Sequence, residues 1–171
     1  IFEDAVVREN LRAFVADGGR LYVTDQAYDF IEQVYPRAVD FLGGATDGLG
    51  EEPEIINDAE YGEEIPLLQG RIHNDQLRQW LSHHGMVEEP SGMVPIRNLV
   101  GGWARVNGVA DGVTTWVSGS IGTSAQVPLT VTFEAGCGRV LFTSYHTHHG
   151  NDGSPDDGRL NAQEMILGYL A

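Results

Sequence analysis

The stretch LRAFVADGGRLYVTDQAYD, residues 11–29, contains the order of elements on which the predicted fold depends. Apolar residues at helical spacing end at two glycines, as helices commonly do. The apolar segment RLYVT (20–24) predicts a short buried strand, and Asp25 then caps a second helix that runs to Pro36. A helix, a tight turn, a buried strand and another helix in this order are typical of a parallel α/β sheet.

The second half of the chain is richer in strand patterns. Four segments have them: VPIRNLV (94–100), TTWVSG (114–119), LTVTFEAG (129–136) and GRVLFTSY (138–145). The last two flank AGCG, whose glycines predict a hairpin turn. GRVLFTSY is apolar enough to be covered on both faces, which predicts a strand inside the sheet. A helix capped by Asp156 or Asp157 is predicted to end the chain, and an irregular excursion is predicted at about 43–70.

Composition limits the classes of function. The 171 residues suffice for one domain, and no apolar run approaches the length of a membrane span. The net charge is −15 and every positive residue is arginine, so we expect neither nucleic-acid binding nor membrane insertion. Because the chain begins at Ile1, we expect a fragment of a longer parent chain, which would then be a partner of this domain. The protein is expected to be soluble; its compartment stays open, a secreted or cell-surface location in a bacterium included.

Two stretches resemble class I glutamine amidotransferase-like domains, in particular the trehalose-utilisation (ThuA-like) branch. They are residues 11–29 and VTFEAGCGRVLFTSYHTHHG, residues 131–150. The resemblance implies an α/β, flavodoxin-like three-layer sandwich with a mostly parallel sheet and a late β-hairpin. It places Asp25 where amidotransferases carry the nucleophilic cysteine, and His146 where they carry the catalytic histidine. With an aspartate at this position, glutamine hydrolysis by a thiolate is not available.

The candidate site residues lie where the two resembling stretches end. Asp25 and His146 are the candidate catalytic pair, in which the carboxylate orients the imidazole or acts as a base. The candidate ligand-binding residues are Gln26, Tyr28, Tyr145 and His148. Two structural alternatives stay open: Asp25 as the N-cap of the following helix, and Tyr28 as a core residue.

The histidine-rich loop after residue 145 raises the question of a metal. His146, His148, Asp152 and Asp156 are the candidate ligands of a divalent ion. In an extended segment, alternation places His146 and His148 on one side and His149 on the other. We therefore expect no tightly bound metal and no cofactor, and the alternative is a polar loop that caps the last helix.

These observations favour a domain without enzymatic activity. We expect a non-catalytic or degenerate amidotransferase-like domain that serves as a binding or structural module of a larger bacterial protein, with a small-molecule or protein ligand. The alternative is a hydrolase or a carbohydrate-acting enzyme that uses Asp25 and His146, with or without a metal. A third hypothesis makes the acidic excursion at 43–70 an interaction surface.

Overall fold

The computed structural model describes residues 3–43, 48–50, 52–53, 55–99, 101–147 and 159–171. Its helices are α1 (Ala5–Ala16), a 3₁₀ turn (Asp25–Tyr28), α2 (Asp29–Glu32), α3 (Asp75–His83) and α4 (Ala162–Leu170). Its strands are β1 (Arg20–Thr24), β2 (Val39–Phe41), β3 (Ile65–Ile72), β4 (Met93–Leu99), β5 (Val106–Val109), β6 (Thr114–Ile121), β7 (Ser124–Ala135) and β8 (Gly138–Thr143).

The flavodoxin-like prediction is wrong. The main sheet has six strands in the order β1-β8-β7-β6-β3-β4, and β2 pairs with β5 in a separate two-stranded sheet. In the main sheet only the β1–β8 pairing is parallel, and the other four pairings are antiparallel. The described chain therefore forms a mixed, strand-rich and curled sheet with few helices, not an α/β sandwich with a mostly parallel sheet.

The lengths of the connections explain the antiparallel pairings. Residues 122–123 alone join β6 to β7, and residues 136–137 alone join β7 to β8. A two-residue turn joins antiparallel neighbours, whereas parallel neighbours need a crossover of a dozen or more residues. The α/β rhythm of the first 36 residues therefore does not continue along the chain. The one parallel pairing joins β1 to β8, which are far apart in sequence.

The main sheet is covered on both faces. One core cluster joins α3 and α4 to the sheet, and the other joins α1, the 3₁₀ turn, α2 and the small β2–β5 sheet to its opposite face. Along β8, Leu141 belongs to the first cluster while Val140 and Phe142 belong to the second, as the alternation of a strand requires. The prediction that GRVLFTSY lies inside the sheet is confirmed, since β8 lies between β1 and β7.

Several local predictions are confirmed and others need correction. The helices over α1 and α3 and the hairpin at 135–138 are present, and Asn74 caps α3. The strand β1 lies at the edge of the described sheet, and only Val23 in it is buried. The second helix is broken into the 3₁₀ turn and the short α2. Asn161 caps α4 in a capping box with Glu164, so the predicted caps at 156–157 are wrong.

The irregular excursion ends earlier than predicted, because β3 begins at residue 65. Its described part packs against the rest of the chain. The amide of Ala59 donates a hydrogen bond to the hydroxyl of Tyr28, and the indole of Trp103 donates one to the carbonyl of Glu63. None of the helices in the described segments is both long and apolar enough to cross a membrane.

Candidate functional site

Parallel pairing of β1 with β8 brings the two candidate catalytic residues to the same end of the sheet. Thr24 at the end of β1 lies opposite Thr143 at the end of β8. Asp25 follows Thr24 directly, and His146 lies three residues beyond Thr143. Because parallel strands end at the same edge, both side chains project from the sheet at this edge.

The backbone turns sharply at Asp25. Its φ of 52° lies in the left-handed region, which aspartate and asparagine enter more readily than other side chains. Thr24 before it is extended and makes no side-chain cap. An N-capping residue has an extended backbone and a side-chain oxygen that accepts a hydrogen bond from an amide of the first helical turn. Asp25 has a left-handed backbone, and no amide of the described residues donates to its carboxylate, so the structural alternative of an N-cap is wrong.

The carboxylate of Asp25 instead binds the imidazole of His146. Oδ2 of Asp25 is in hydrogen-bond contact with Nε2 of His146. The Asp25 side chain is 7% exposed, whereas that of His146 is 43% exposed. The prediction that the strand ends bring these side chains together is thus confirmed, and their catalytic role stays a prediction. The pair consists of a buried acceptor and an imidazole with an accessible edge.

The second carboxylate oxygen of Asp25 is unusual. Oδ1 is buried and has no hydrogen-bond partner among the described residues. The hydroxyl of Ser144, two residues before His146, is also buried without a partner in the described structure. Buried polar atoms normally have partners, and leaving one unpaired is costly. Two of the buried side-chain oxygens without a hydrogen-bond partner in the described residues therefore lie on the segments that form this site.

Side chains hold the backbone around His146 in place. Three successive carbonyls are engaged. The carbonyl of Tyr145 accepts hydrogen bonds from the hydroxyls of Thr24 and Thr143, each at 2.8 Å. The carbonyl of His146 accepts one from Nε2 of Gln163 at 2.6 Å. Asn161 donates to the carbonyl of Thr147 at 3.4 Å. His146 is thus positioned by its backbone as well as by Asp25.

Gln163 on α4 forms hydrogen bonds with two separate segments of the backbone. Besides binding the carbonyl of His146, its amide accepts from the N–H of Arg97 at 3.0 Å and donates to the carbonyl of Arg97 at 2.9 Å. Arg97 is on β4, at the opposite edge of the sheet from β1. The side chain of Gln163 therefore connects the β4 edge of the curled sheet to the backbone of His146. Sequence reasoning missed Gln163, because only the tertiary structure brings its partners together.

The other candidate ligand-binding residues take different positions. Tyr28 lies in the core, where its ring packs on Phe41, so the core alternative applies. Tyr145 is also fully buried, and its hydroxyl shares a hydrogen bond of 2.5 Å with Thr130. Burial raises the pKa of both phenols well above their usual range. Neither ring reaches solvent, so Tyr145 supports the site from beneath.

Gln26 is exposed and follows Asp25 directly in sequence. Its amide lies over Gly102, where an added Cβ would be 2.7 Å from Nε2 of Gln26. Gly102 has a φ of +97°, a backbone conformation that favours glycine. Gln26 thus stays a candidate ligand contact. His148 lies outside the described residues.

The metal candidates are only partly described. His148, Asp152 and Asp156 lie outside the described residues, which leaves His146. Among the residues that the structure describes, no three histidine, cysteine, aspartate or glutamate side chains are grouped as metal ligands would be. Within this part of the chain, the chemistry available at the site is that of one imidazole and one carboxylate.

The thiol lies far from this site. Cys137, the one cysteine of the chain, is exposed in the hairpin that precedes β8. His146 follows the other end of β8, and six residues of strand span roughly 20 Å. A thiolate at this position does not reach the imidazole of His146.

Comparison with known proteins gives a likeness of fold. No protein-family model matches the chain, and no curated protein matches it. Among solved structures, cytoplasmic protein STM3548 from Salmonella typhimurium has a TM-score of 0.52 at 12% identity, covering 95% of this chain and 58% of that one. This chain therefore spans less than two thirds of the length of that protein.

Two further structures are less similar. Cytoplasmic protein STM1381 from Salmonella typhimurium LT2 has a TM-score of 0.47 at 12% identity, with 87% of this chain and 52% of that chain covered. A catalytic mutant of a GH42 beta-galactosidase from G. stearothermophilus has a TM-score of 0.49 at 12% identity, with 98% and 19% covered. STM3548 is not described as a glutamine amidotransferase or a ThuA-like protein.

Proposed function

We propose that this domain is a non-catalytic binding module, part of a longer protein, whose ligand contacts His146 at the shared end of β1 and β8. The observation that carries the proposal is the Asp25–His146 contact, in which a buried carboxylate leaves one edge of the imidazole accessible. Gln26, the exposed residue that follows Asp25 in sequence, would add an amide that can donate and accept hydrogen bonds. A small polar molecule, or a polar side chain of a protein, fits these groups.

The energetic cost of the pair favours a functional over a purely structural role. Asp25 combines a left-handed backbone with a buried carboxylate oxygen that has no hydrogen-bond partner among the described residues. Each of these is destabilising, by roughly 1 kcal/mol or more. Such departures from local stability are concentrated at functional sites. A residue that served only the fold would be expected to have satisfied hydrogen bonds.

The position of the one cysteine argues against thiol catalysis of the amidotransferase kind. An acyl-transfer site of the amidotransferase kind needs a cysteine beside the histidine. Cys137 is at the other end of β8, and Asp25 occupies the turn after β1. In this proposal the role of the pair is hydrogen bonding to a ligand.

Ligand-observed NMR with a library of small polar fragments (sugars, amides and carboxylates) tests the proposal. The wild type, Asp25→Asn and His146→Gln are compared, with thermal unfolding measured on each. We expect fragments that bind the wild type and neither variant, while Asp25→Asn melts at or above the wild-type temperature. Fragments that bind all three proteins equally, or a large loss of stability in Asp25→Asn without any wild-type binding, would contradict a binding role.

A hydrolase is the second candidate, and the same contact favours it. An imidazole oriented by a buried carboxylate is the arrangement in which histidine acts as a general base on water. The assay is hydrolysis of p-nitrophenyl acetate and p-nitrophenyl glycosides, with and without added Zn²⁺. Turnover that exceeds the His146→Gln background by roughly a hundredfold, within the range for general-base catalysis, would favour the hydrolase over the binding module. A metal requirement would point to the loop that contains His148, Asp152 and Asp156.

A further inference from the structure

The two edges of the main sheet differ in how far they are closed. At the β4 edge, the side chain of Gln163 bonds both the N–H and the carbonyl of Arg97. The N–H of Glu88 donates to the carbonyl of Met93 at the start of the same strand. The other edge is β1, and no strand in the described part of the chain pairs with its side away from β8. An open strand edge presents N–H and C=O groups to which a further strand can bind.

The pairing of β1 with β8 shows which backbone groups of β1 face the open side. Arg139 lies opposite Arg20, and its N–H donates to the carbonyl of Gly19 at 3.2 Å. The backbone groups of successive strand residues point alternately to either side, so every second residue of β1 faces β8. The residues that face β8 are Gly19, Leu21 and Val23. The residues whose N–H groups point to the open side are Arg20, Tyr22 and Thr24.

The strand β1 lacks the features that usually protect an open edge. It contains no proline, its register with β8 has no bulge, and its one charged residue is Arg20 at the start. Two aromatic side chains are exposed beside it, since Tyr22 is 39% exposed and Phe14 of α1 is 53% exposed. The ring of Phe14 lies within 2.6 Å of a Cβ added at Gly19, so it covers the start of β1. A partner at this edge would thus bury apolar surface as well as pair with the backbone.

We infer that this edge binds a second copy of the chain, with the two β1 strands antiparallel about a twofold axis at Tyr22. Tyr22 is the middle residue of the strand. Its N–H and C=O bond those of Tyr22 in the second copy, and the N–H of Thr24 in each copy donates to the carbonyl of Arg20 in the other. All of these groups point to the open side. The edge is therefore complementary to itself, as the interface of a symmetric dimer must be.

The charges at the two ends of β1 favour the antiparallel arrangement. Arg20 begins the strand, and Asp25 directly follows its end. Antiparallel pairing places Arg20 of each copy near the Asp25 end of the other, whereas parallel pairing would place the two Arg20 side chains opposite each other. The interface is small, because a strand of five residues supplies most of it, and each copy carries a net charge of −15. We therefore expect a weak dimer that added salt strengthens.

Sedimentation and hydrogen exchange of the wild type test the inference directly. The protein is compared at about 5 µM and about 500 µM, where mass action favours the monomer and the dimer respectively. The N–H groups of Arg20, Tyr22 and Thr24 should exchange more slowly at the higher concentration. Those of Leu21 and Val23 are already bonded to β8, so their exchange should not change. This alternating pattern is specific to a strand that pairs on the open side.

Tyr22→Pro removes the N–H at the centre of the pairing. That group points away from β8, so the sheet can accommodate proline at this position. The dimer should be at least roughly tenfold weaker, because the hydrogen bond is lost in both copies. Tyr22→Thr is the matched control. It also removes the ring but keeps the N–H, and it should dimerise more tightly than Tyr22→Pro.

Arg20→Glu tests the same edge with the backbone unchanged, so it decides the question even if Tyr22→Pro does not fold. It brings an acidic side chain near the Asp25 end of the second copy, and the dimer should be at least roughly threefold weaker. Arg71→Glu makes the same change of net charge at an exposed position of β3, and it should weaken the dimer less.

Three results would overturn the inference. The first is a wild type that sediments as a monomer at about 500 µM. The second is a dimer that leaves the exchange of the outward N–H groups of β1 unchanged, or that Tyr22→Pro and Tyr22→Thr form equally well, because the contact would then lie elsewhere. The third is a monomer in which a synthetic peptide of alternating valine and threonine protects those N–H groups, because a strand of another polypeptide would then occupy the edge.

Discussion

Replacing Gln163 with alanine should destabilise the protein and loosen the backbone at His146. The side chain is 3% exposed and makes three hydrogen bonds, two with the backbone of Arg97 and one with the carbonyl of His146. At about 1 kcal/mol each, their loss amounts to about 3 kcal/mol. The higher helix propensity of alanine offsets only a few tenths of a kcal/mol. For a chain of this size the melting temperature should fall by roughly 6–12 °C.

Thermal and urea unfolding measure the stability change, and hydrogen exchange gives its location. The amide of Arg97 donates to Gln163 at the edge of the sheet, so its exchange should accelerate more than that of other β4 amides. Gln163→Met keeps most of the volume but no hydrogen bond, and we expect it to be nearly as unstable as Gln163→Ala. Gln76→Ala, at an exposed position of α3, is the control and should change the free energy of unfolding by less than about 0.5 kcal/mol. If Gln163→Met melted like the wild type, the reasoning from hydrogen bonds would be refuted.

Three further predictions test other parts of the structure. Burial raises the pKa of Asp29 above its ordinary value of 3.8, because the folded protein favours the protonated carboxyl. The protonated carboxyl therefore contributes fully to the stability of the fold below pH 3.8, and this contribution is lost as the pH rises through the raised pKa. Asp29→Asn should therefore melt above the wild type at pH 7, and a gain that persisted below pH 3.8 would contradict this. An added Cβ at Gly138 would collide with the carbonyl oxygen of Val15, so Gly138→Ala should cost about 3 kcal/mol in urea unfolding; a neutral effect would show that α1 moves freely. Leu77→Ala in the core should cost about 3 kcal/mol, whereas Val6→Ala on the exposed side of α1 should be nearly neutral, and equal effects would disprove the assigned burial.

Local patterns predicted the elements better than their arrangement. The helix α1, the strand β1 and the hairpin between β7 and β8 follow from periodicity and glycine positions, which act over a few residues. The sheet does not, because the parallel β1–β8 pairing joins segments more than a hundred residues apart. The two-residue turns on either side of β7 require antiparallel neighbours. These short turns are the sequence signal that argues against a mostly parallel sheet.

The candidate site was predicted only in part, because some of its contacts join segments that are far apart in sequence. Asp25 and His146 each follow a strand, and the prediction that they meet assumed that these two strands are parallel. It holds because β1 and β8 form the one parallel pairing of the main sheet in the described residues. The assignment of Asp25 as an N-cap failed because its backbone is left-handed and its carboxylate binds His146. Gln163 was missed because its contacts with Arg97 cross 66 positions of sequence. Helical periodicity shows which face of α4 is buried, but it does not show what a buried amide binds.

The most direct test of the central claim is an NMR measurement of the His146 side chain. In ¹⁵N-labelled wild-type protein, the proton on Nε2 of His146 should be visible, shifted downfield and slow to exchange, because it is hydrogen-bonded to the buried carboxylate of Asp25. In Asp25→Ala this resonance should move upfield or vanish by exchange with water, while the backbone amides of β8 keep their shifts. A His146 Nε2 proton with the same shift and exchange rate in both proteins would contradict the Asp25–His146 pair, and with it the proposed site.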